Sequence, residues 1–188
     1  MHYTGTIWRP PYEAYSLLVQ VTAGCTHHSC KFCTLYEDLP FKFKLSPFSE
    51  VKADLAEASK YYRKIPRIFF TGANPFVLST EKLKTLAKMV KEYYPFYKTI
   101  GCFARITDIM PKSLEELKEL RALGYDGITI GVETGDDESL TFMNKGFQSK
   151  DVLEQCRKLD EAGISYNFFY LTGIYGAGRG EVGAKKTA

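Results

Sequence analysis

The sequence predicts an α/β protein built of parallel βαβ units. Two observations carry that prediction: short apolar runs of strand length alternate with segments of helical period, and glycines and polar residues cluster just after each run. Right-handed crossovers coil such a sheet in one sense, leaving either an open doubly wound sheet or part of a barrel. In both, ligands gather beyond the carboxyl ends of the strands, so those positions are where function is read.

Residues 1–15 are rich in aromatic residues and proline and carry no period. They read as an irregular N-terminal arm, with Trp8 covering an end of the barrel, ahead of a core spanning residues 16–188. Ser16 to Val21 is the first strand. Ser46 as N-cap and Pro47 at the first helical position start a helix to about Tyr62. Arg67 to Thr71 is the second strand, followed by a helix that Ser79 or Thr80 can cap, reaching about Tyr93 and closed by Pro95.

Tyr97 to Ala104 is the third strand. Ser113 and Glu116 have capping-box spacing, Leu114, Leu117, Leu120 and Leu123 mark an apolar face, and Gly124 supplies the stop. Asp126 to Val132 is the fourth strand. A short helix from Asp136 to Asn144 and a longer one capped by Ser149 follow, the second stopping at Gly163 before a fifth strand, Ile164 to Leu171.

Composition excludes several classes. The 188 residues are 45% hydrophobic and 25% charged, as in a soluble globular domain, and no apolar run is long enough for a transmembrane helix. The opening MHYTGTIWRPPYEAY does not read as a secretory signal, so cytoplasm is the expected location. A net charge of +3, with lysines spread along helices, gives no direct argument for nucleic acid.

The chemistry concentrates in Cys25 to Cys33, CTHHSCKFC, directly after the first strand. Five cysteines, an odd number, argue against a disulfide framework. Thiolates are soft ligands that select zinc, copper(I) or iron-sulfur clusters, and three without a fourth leave one metal position open. On the loop alone, iron-sulfur and zinc stand level, because His27 or His28 could complete a four-ligand zinc set with Cys25, Cys30 and Cys33. After the later strands come Gly72-Ala73-Asn74-Pro75, then Arg105, then Glu133-Thr134-Gly135, then Gly173-Ile174-Tyr175-Gly176. Glycines there let a ligand approach the backbone. The segment GAGRG at 176–180 lacks the spacing of a P-loop or a dinucleotide fingerprint.

Taken together these residues resemble the radical S-adenosylmethionine (radical SAM) superfamily, from the first strand almost to the end of the chain. The resemblance implies a partial (β/α) TIM-like barrel of about five βα units. It implies a 4Fe-4S cluster held by Cys25, Cys30 and Cys33, with S-adenosyl-L-methionine on the open iron. It places Phe32 near the adenine, Gly72 and Asn74 at the methionine amine, Glu133 and Thr134 toward ribose and methionine, Gly173, Ile174 and Gly176 in the cofactor-binding fifth-strand motif with Ile174 against the adenine, and Arg105 as a polar contact on the rim.

The chain departs from the family pattern in having four residues between Cys25 and Cys30 and Asn74 at an acidic position. It also stops before a sixth unit, which reads as a C-terminally incomplete core. The implied activity is reductive cleavage of S-adenosylmethionine to a 5′-deoxyadenosyl radical that abstracts hydrogen from an unidentified substrate, with a reduced flavodoxin or ferredoxin type donor as partner. The rival readings are a non-enzymatic zinc-binding module and a catalytically inactive truncated remnant. With the resemblance, His27 and His28 become solvent-facing loop residues, and Cys102 and Cys156 small buried hydrophobes.

Overall fold

A computed structural model describes residues 1–188. Five strands, β1 (Leu17–Gln20), β4 (Arg67–Thr71), β5 (Thr99–Ala104), β6 (Ile128–Glu133) and β7 (Tyr166–Tyr170), form one sheet in that spatial order, and every pairing is parallel. The order is the order in the chain. A doubly wound sheet reverses its strand order at a switch point, and this one never does, so the winding is that of a partial barrel with its helices on one face.

The helices are α1 (Phe48–Tyr61), α2 (Thr80–Tyr93), α3 (Ile106–Ile109), α4 (Leu114–Ala122), α5 (Asp137–Phe142), α6 (Ser149–Ala162) and α7 (Gly180–Thr187). Alternation in the strands decides what they cover. Val19, Ile68, Phe70, Ile100, Cys102, Ile128 and Ile130 point to the helical side and are fully buried in one core with Leu55, Leu83, Leu86, Leu117 and Leu159. Cys102 and Cys156 lie in this core as packing residues.

Helix signals act as expected at α4, where the Ser113 hydroxyl accepts from Glu116 N at 3.1 Å and the Glu116 carboxylate accepts from Ser113 N at 2.8 Å. Elsewhere the boundaries move. The N-cap of α1 is Pro47 rather than Ser46. That of α6 is Gln148, because the Asp151 carboxylate takes the Gln148 N–H at 2.8 Å, while Ser149 N donates to Asp137 at 2.6 Å.

The sequence reading runs from the first strand straight to α1. The structure inserts a second, two-stranded antiparallel sheet there, β2 (Thr22–Gly24) with β3 (Phe43–Leu45).

The N-terminal arm crosses the inner face of the sheet. Its 3-10 turn Pro11–Glu13 buries Glu13, whose carboxylate accepts from Arg67 Nε at 2.9 and 3.0 Å and from Nη2 at 2.5 Å. The Tyr12 hydroxyl meets Thr129 Oγ1 at 2.8 Å, and the Trp8 carbonyl accepts from Thr71 Oγ1 at 3.4 Å. Trp8 itself is 45% exposed, so its backbone rather than its ring closes against the sheet. Beside the arm, Phe69 meets Phe103 edge-on at 5.1 Å, and Phe103 lies 6.1 Å from Phe169 on the last strand.

The Glu13–Arg67 pair ties the arm to β4 where neither group is free to rehydrate fully. Glu13→Ala leaves a guanidinium without its carboxylate and is expected to cost about 3 kcal/mol in a urea-unfolding experiment. A loss below about 0.5 kcal/mol, the worth of a surface pair, would show the arm to be dispensable.

Candidate functional site

The cysteine loop is held at both ends by β2 and β3. Cys25 N donates to the Lys42 carbonyl at 2.7 Å, continuing the ladder, and Ser46 N donates to Val21 O at 3.0 Å on the other side. Gly24 makes the approach feasible: it has φ +73°, and a Cβ there would lie 2.1 Å from the Lys42 carbonyl oxygen. Gly72 is constrained the same way, at φ +134° with its Cβ position 2.0 Å from Thr22 Oγ1.

Within the loop Cys25, Cys30 and Cys33 are all unpaired and half-buried. Burial pushes the Cys30 thiol up, and the positive charges of Lys145 and Arg105 pull it back. Burial likewise raises Cys33, against a hydrogen bond from the Leu35 backbone and the charge of Lys145. Cys25 and Cys33 also push the neighbouring Tyr36 phenol up, after burial, to about 12. Three sulfurs and two cations therefore share one neighbourhood.

Their neighbours come from the strand ends. At the end of β6, Glu133 takes φ +71°, uncommon for a residue with a side chain, at a register shift between Gly131 and Glu133 in the β6–β7 pairing. Its carboxylate accepts from Lys145 Nζ at 3.2 Å, and both side chains are nearly buried. The Lys145 ammonium also lies 5.5 Å from the ring centroids of Phe32 and Phe147. Arg105, after β5, donates through Nη2 to the Lys145 carbonyl and through Nη1 to Thr107 Oγ1 at 3.0 Å; its Nε is buried without a partner.

The loop is pinned to the segment after α5. His27 Nε2 bonds the Asn144 carbonyl at 2.5 Å, Asn144 Nδ2 donates to Ser29 O at 3.0 Å, and Lys31 N donates to Met143 O at 3.1 Å. Both histidines are half-buried rather than solvent-facing, because His27 is spent on this contact and His28 Nδ1 is enclosed with no partner.

After β4, Asn74 is fully buried and bonds Thr26 and Asp108. Thr134 is also buried, its hydroxyl 3.2 Å from Tyr175 OH and 3.1 Å from Thr187 Oγ1. A cleft of about 840 Å³ opens between α5 and the segment after β7, lined by Phe142, Met143, Gly173, Ile174, Tyr175 and Gly176 among others. Phe32 is not in that lining; its ring is 37% exposed at the loop surface.

Sequence reading did not single out Lys145 or Asp108. Lys145 is legible only as part of Met143-Asn144-Lys145-Gly146, which with Glu133-Thr134-Gly135 resembles the family's segment after the fourth strand, and Asp108 sits in a four-residue helix too short to show a period.

Two predictions follow from this geometry. Gly24→Ala must displace the Lys42 carbonyl that holds Cys25, so the reconstituted variant is expected to bind less than about a third of the wild-type iron, measured by iron analysis, since left-handed strain and the clash act together. Normal iron content would rule out this role for the ladder.

Burial pushes the Asp108 carboxyl up to about 6, against hydrogen bonds from Arg105 N and Asn74. The folded protein then holds that proton more tightly than the unfolded chain, whose value is about 3.9. The stability Asp108 contributes is present below about pH 4 and lost as pH rises through about 6, by on the order of 3 kcal/mol. Unfolding of wild type and Asp108→Asn across that window should show the difference falling with pH; a flat or rising difference would refute it.

Comparison with known proteins gives a consistent family. The model of the radical SAM superfamily matches residues 19–184. The chain is 30% identical over 97 residues to the heme chaperone HemW of Bacillus subtilis, covering 52% of this chain and 26% of that protein. It is 26% identical over 178 residues to an uncharacterized methyltransferase of Synechocystis sp., covering 89% and 31%. The chain thus spans less than a third of the length of either relative. Its fold is similar to that of the radical S-adenosylmethionine methyltransferase TsrM from Kitasatospora setae, solved with cobalamin and a [4Fe-4S] cluster bound, at a TM-score of 0.62 and 17% identity over 81% of this chain and 30% of that one. With the family model running from the first strand through most of the last helix, the chain belongs to the radical SAM superfamily.

Proposed function

We propose that this chain holds a 4Fe-4S cluster on Cys25, Cys30 and Cys33 and reductively cleaves S-adenosyl-L-methionine bound beside it. The observation that carries this reading is the loop itself: three unpaired thiols, clipped by β2 and β3 and faced by Lys145 and Arg105. Three thiols without a fourth protein ligand suit a cluster with one open iron, and the family match over residues 19–184 favours that over a tetrahedral zinc. When bound, the cluster supplies the low-potential electron that splits a carbon–sulfur bond of S-adenosylmethionine, yielding methionine and a 5′-deoxyadenosyl radical that takes a hydrogen atom from substrate.

The residues of the chain do the rest. Lys145 and Arg105 offset the negative charge of three thiolates. Tyr36, kept as a neutral phenol, and the buried face of the loop limit water around the sulfurs. Glu133, held by Lys145 in its strained turn, offers its second carboxylate oxygen to a hydroxyl or ammonium group. The cleft bearing Ile174 and the left-handed glycines Gly173 and Gly176 suits a flat adenosyl group lying against backbone. A reduced flavodoxin or ferredoxin type protein is the electron donor this reading requires.

The test is electron paramagnetic resonance of the anaerobically reconstituted, reduced protein with and without S-adenosylmethionine. The expected result is a cluster signal that shifts on adding the cofactor, absent in Cys30→Ala together with 5′-deoxyadenosine formation. His28→Asn, which suits the left-handed φ of +45° at that position, should retain both. Cleavage retained by Cys30→Ala would sink the proposal, and metal binding that fails in His28→Asn would move the weight to zinc.

A further inference from the structure

Several cations that stand far apart in the sequence gather at one end of the fold. The turns before β4, β5 and β6 lie side by side at the amino ends of the strands, the end away from the cysteine loop, and hydrogen bonds clip them together. Lys98 N and Thr99 N donate to the Pro66 carbonyl at 2.8 and 3.2 Å, and Ile100 N donates to Gly124 O at 2.7 Å. The Tyr97 hydroxyl donates to Leu123 O at 2.6 Å, and its ring packs so closely that a Cβ on Gly124, at φ +90°, would lie 2.9 Å from it.

Three hollows cross this floor in a row. The first, of about 400 Å³, lies between the N-terminal arm and the end of α1. The second, of about 360 Å³, shares Ile65 with the first, and the third, of about 270 Å³, shares Pro95 and Tyr97 with the second. Together they form one groove running from the β1 side of the sheet to the turn before β6, across roughly 15 Å of strand spacings.

The walls of the groove are aromatic and basic. Tyr15, Tyr61, Tyr62 and Phe96 are each more than half exposed, Phe96 to 85%. A lone exposed ring is ordinary, but a series of them along one groove is apolar surface that the fold itself does not use. Among the rings stand Arg9, Arg63, Lys64, Lys91 and Lys98, and none of these forms an ion pair. Lysines on the helix faces behave otherwise: Lys52, Lys84 and Lys185 are each paired with a glutamate. The carboxylate in the lining, Glu57, is taken by the Met1 ammonium. The groove is thus positive with nothing to neutralise it, in a chain whose net charge is only +3.

The chemistry of the occupant follows from that mixture. An acidic peptide would answer the cations and leave the rings open, and a duplex keeps its base faces stacked on one another. A single strand offers a phosphate and a free π face at every nucleotide, which is what a cationic groove with aromatic platforms holds.

We propose that this groove is a docking site for single-stranded nucleic acid, its phosphates lying along Arg63, Lys64, Lys91 and Lys98 and its bases stacking on Tyr61, Tyr62 and Phe96. The site is separate from the cysteine loop, so it holds a strand without reacting with it, and it stands whether or not the loop carries a cluster.

The test is fluorescence anisotropy of the full chain with a labelled oligouridylate of about twelve nucleotides, titrated at salt between about 50 and 200 mM. Wild type should bind, the logarithm of affinity falling against the logarithm of salt with a slope of about −2 to −3, as for about three or four phosphates. Arg63→Ala/Lys64→Ala should flatten that slope by about 1.4. Tyr61→Ala and Phe96→Ala should each weaken binding roughly five- to hundredfold and leave the slope unchanged, as for a lost stacking platform. All four positions are exposed, so these variants keep the fold, and replacing Lys150, an exposed lysine outside the groove, by alanine should change nothing.

No binding at the lowest salt would overturn the proposal, as would equal affinity for a duplex of the same length. So would ring variants that both bind as wild type. Polyglutamate that displaces the oligonucleotide at equal charge concentration would also overturn it and assign the groove to an acidic protein.

Discussion

The contact on which the site depends is a short one, between the backbone of Cys25 and the carbonyl of Lys42. Closing a long irregular loop costs conformational entropy that soft, mobile ligands cannot recover by themselves. The β2–β3 ladder meets that cost with backbone hydrogen bonds, and Gly24 lets the two chains come close enough to form them. Only then do three thiols from one stretch of sequence stay near one another. Everything else around the loop, from His27 on the Asn144 carbonyl to Lys31 on Met143, is added to a frame already closed at its base.

The fold separates this frame from what stabilises the sheet. The helical face of the strands is apolar and buried, and the inner face carries the Glu13–Arg67 pair, the Tyr12–Thr129 contact and the row Phe69, Phe103, Phe169. Arg67 begins β4 and Thr71 ends it, so the ion pair and the ligand-facing loop lie at opposite ends of the same strand. That division is common to parallel α/β folds, in which the carboxyl ends of strands carry chemistry and the other ends carry stability.

How much of this was legible follows from the length of each signal. Five strands and the α4 capping box could be read because each repeats a pattern over several residues. The ladder of Thr22–Gly24 with Phe43–Leu45 could not, because three residues show no period and the two halves are far apart in sequence. Helix starts slipped by one residue where a competing acceptor won: Asp137 takes the Ser149 N–H, leaving the capping role to Gln148 and Asp151. The cysteines, Asn74, Arg105 and Glu133 announced themselves by position after strands. Lys145 and Asp108 did not, because their importance is a matter of which side chain they face, and no local spacing encodes that.

The charges make the last connection. Two acids and two cations of this site are already arranged before any ligand enters. Lys145 takes up the charge of Glu133, while Asp108 is withdrawn behind Asn74 and bonded to uncharged donors. At Cys30 the positive charges of Lys145 and Arg105 act against the rise that burial causes. Electrostatic work done in this way is done at folding, where the scaffold can bear it, rather than at binding. Such an arrangement suits an anionic centre at Cys30, while Glu133, paired with Lys145, still sets some negative charge against Cys33. Glu133 is then a half-neutralised acid, which can receive an ammonium or a hydroxyl while opposing the negative charge of the thiolates less than a free carboxylate would.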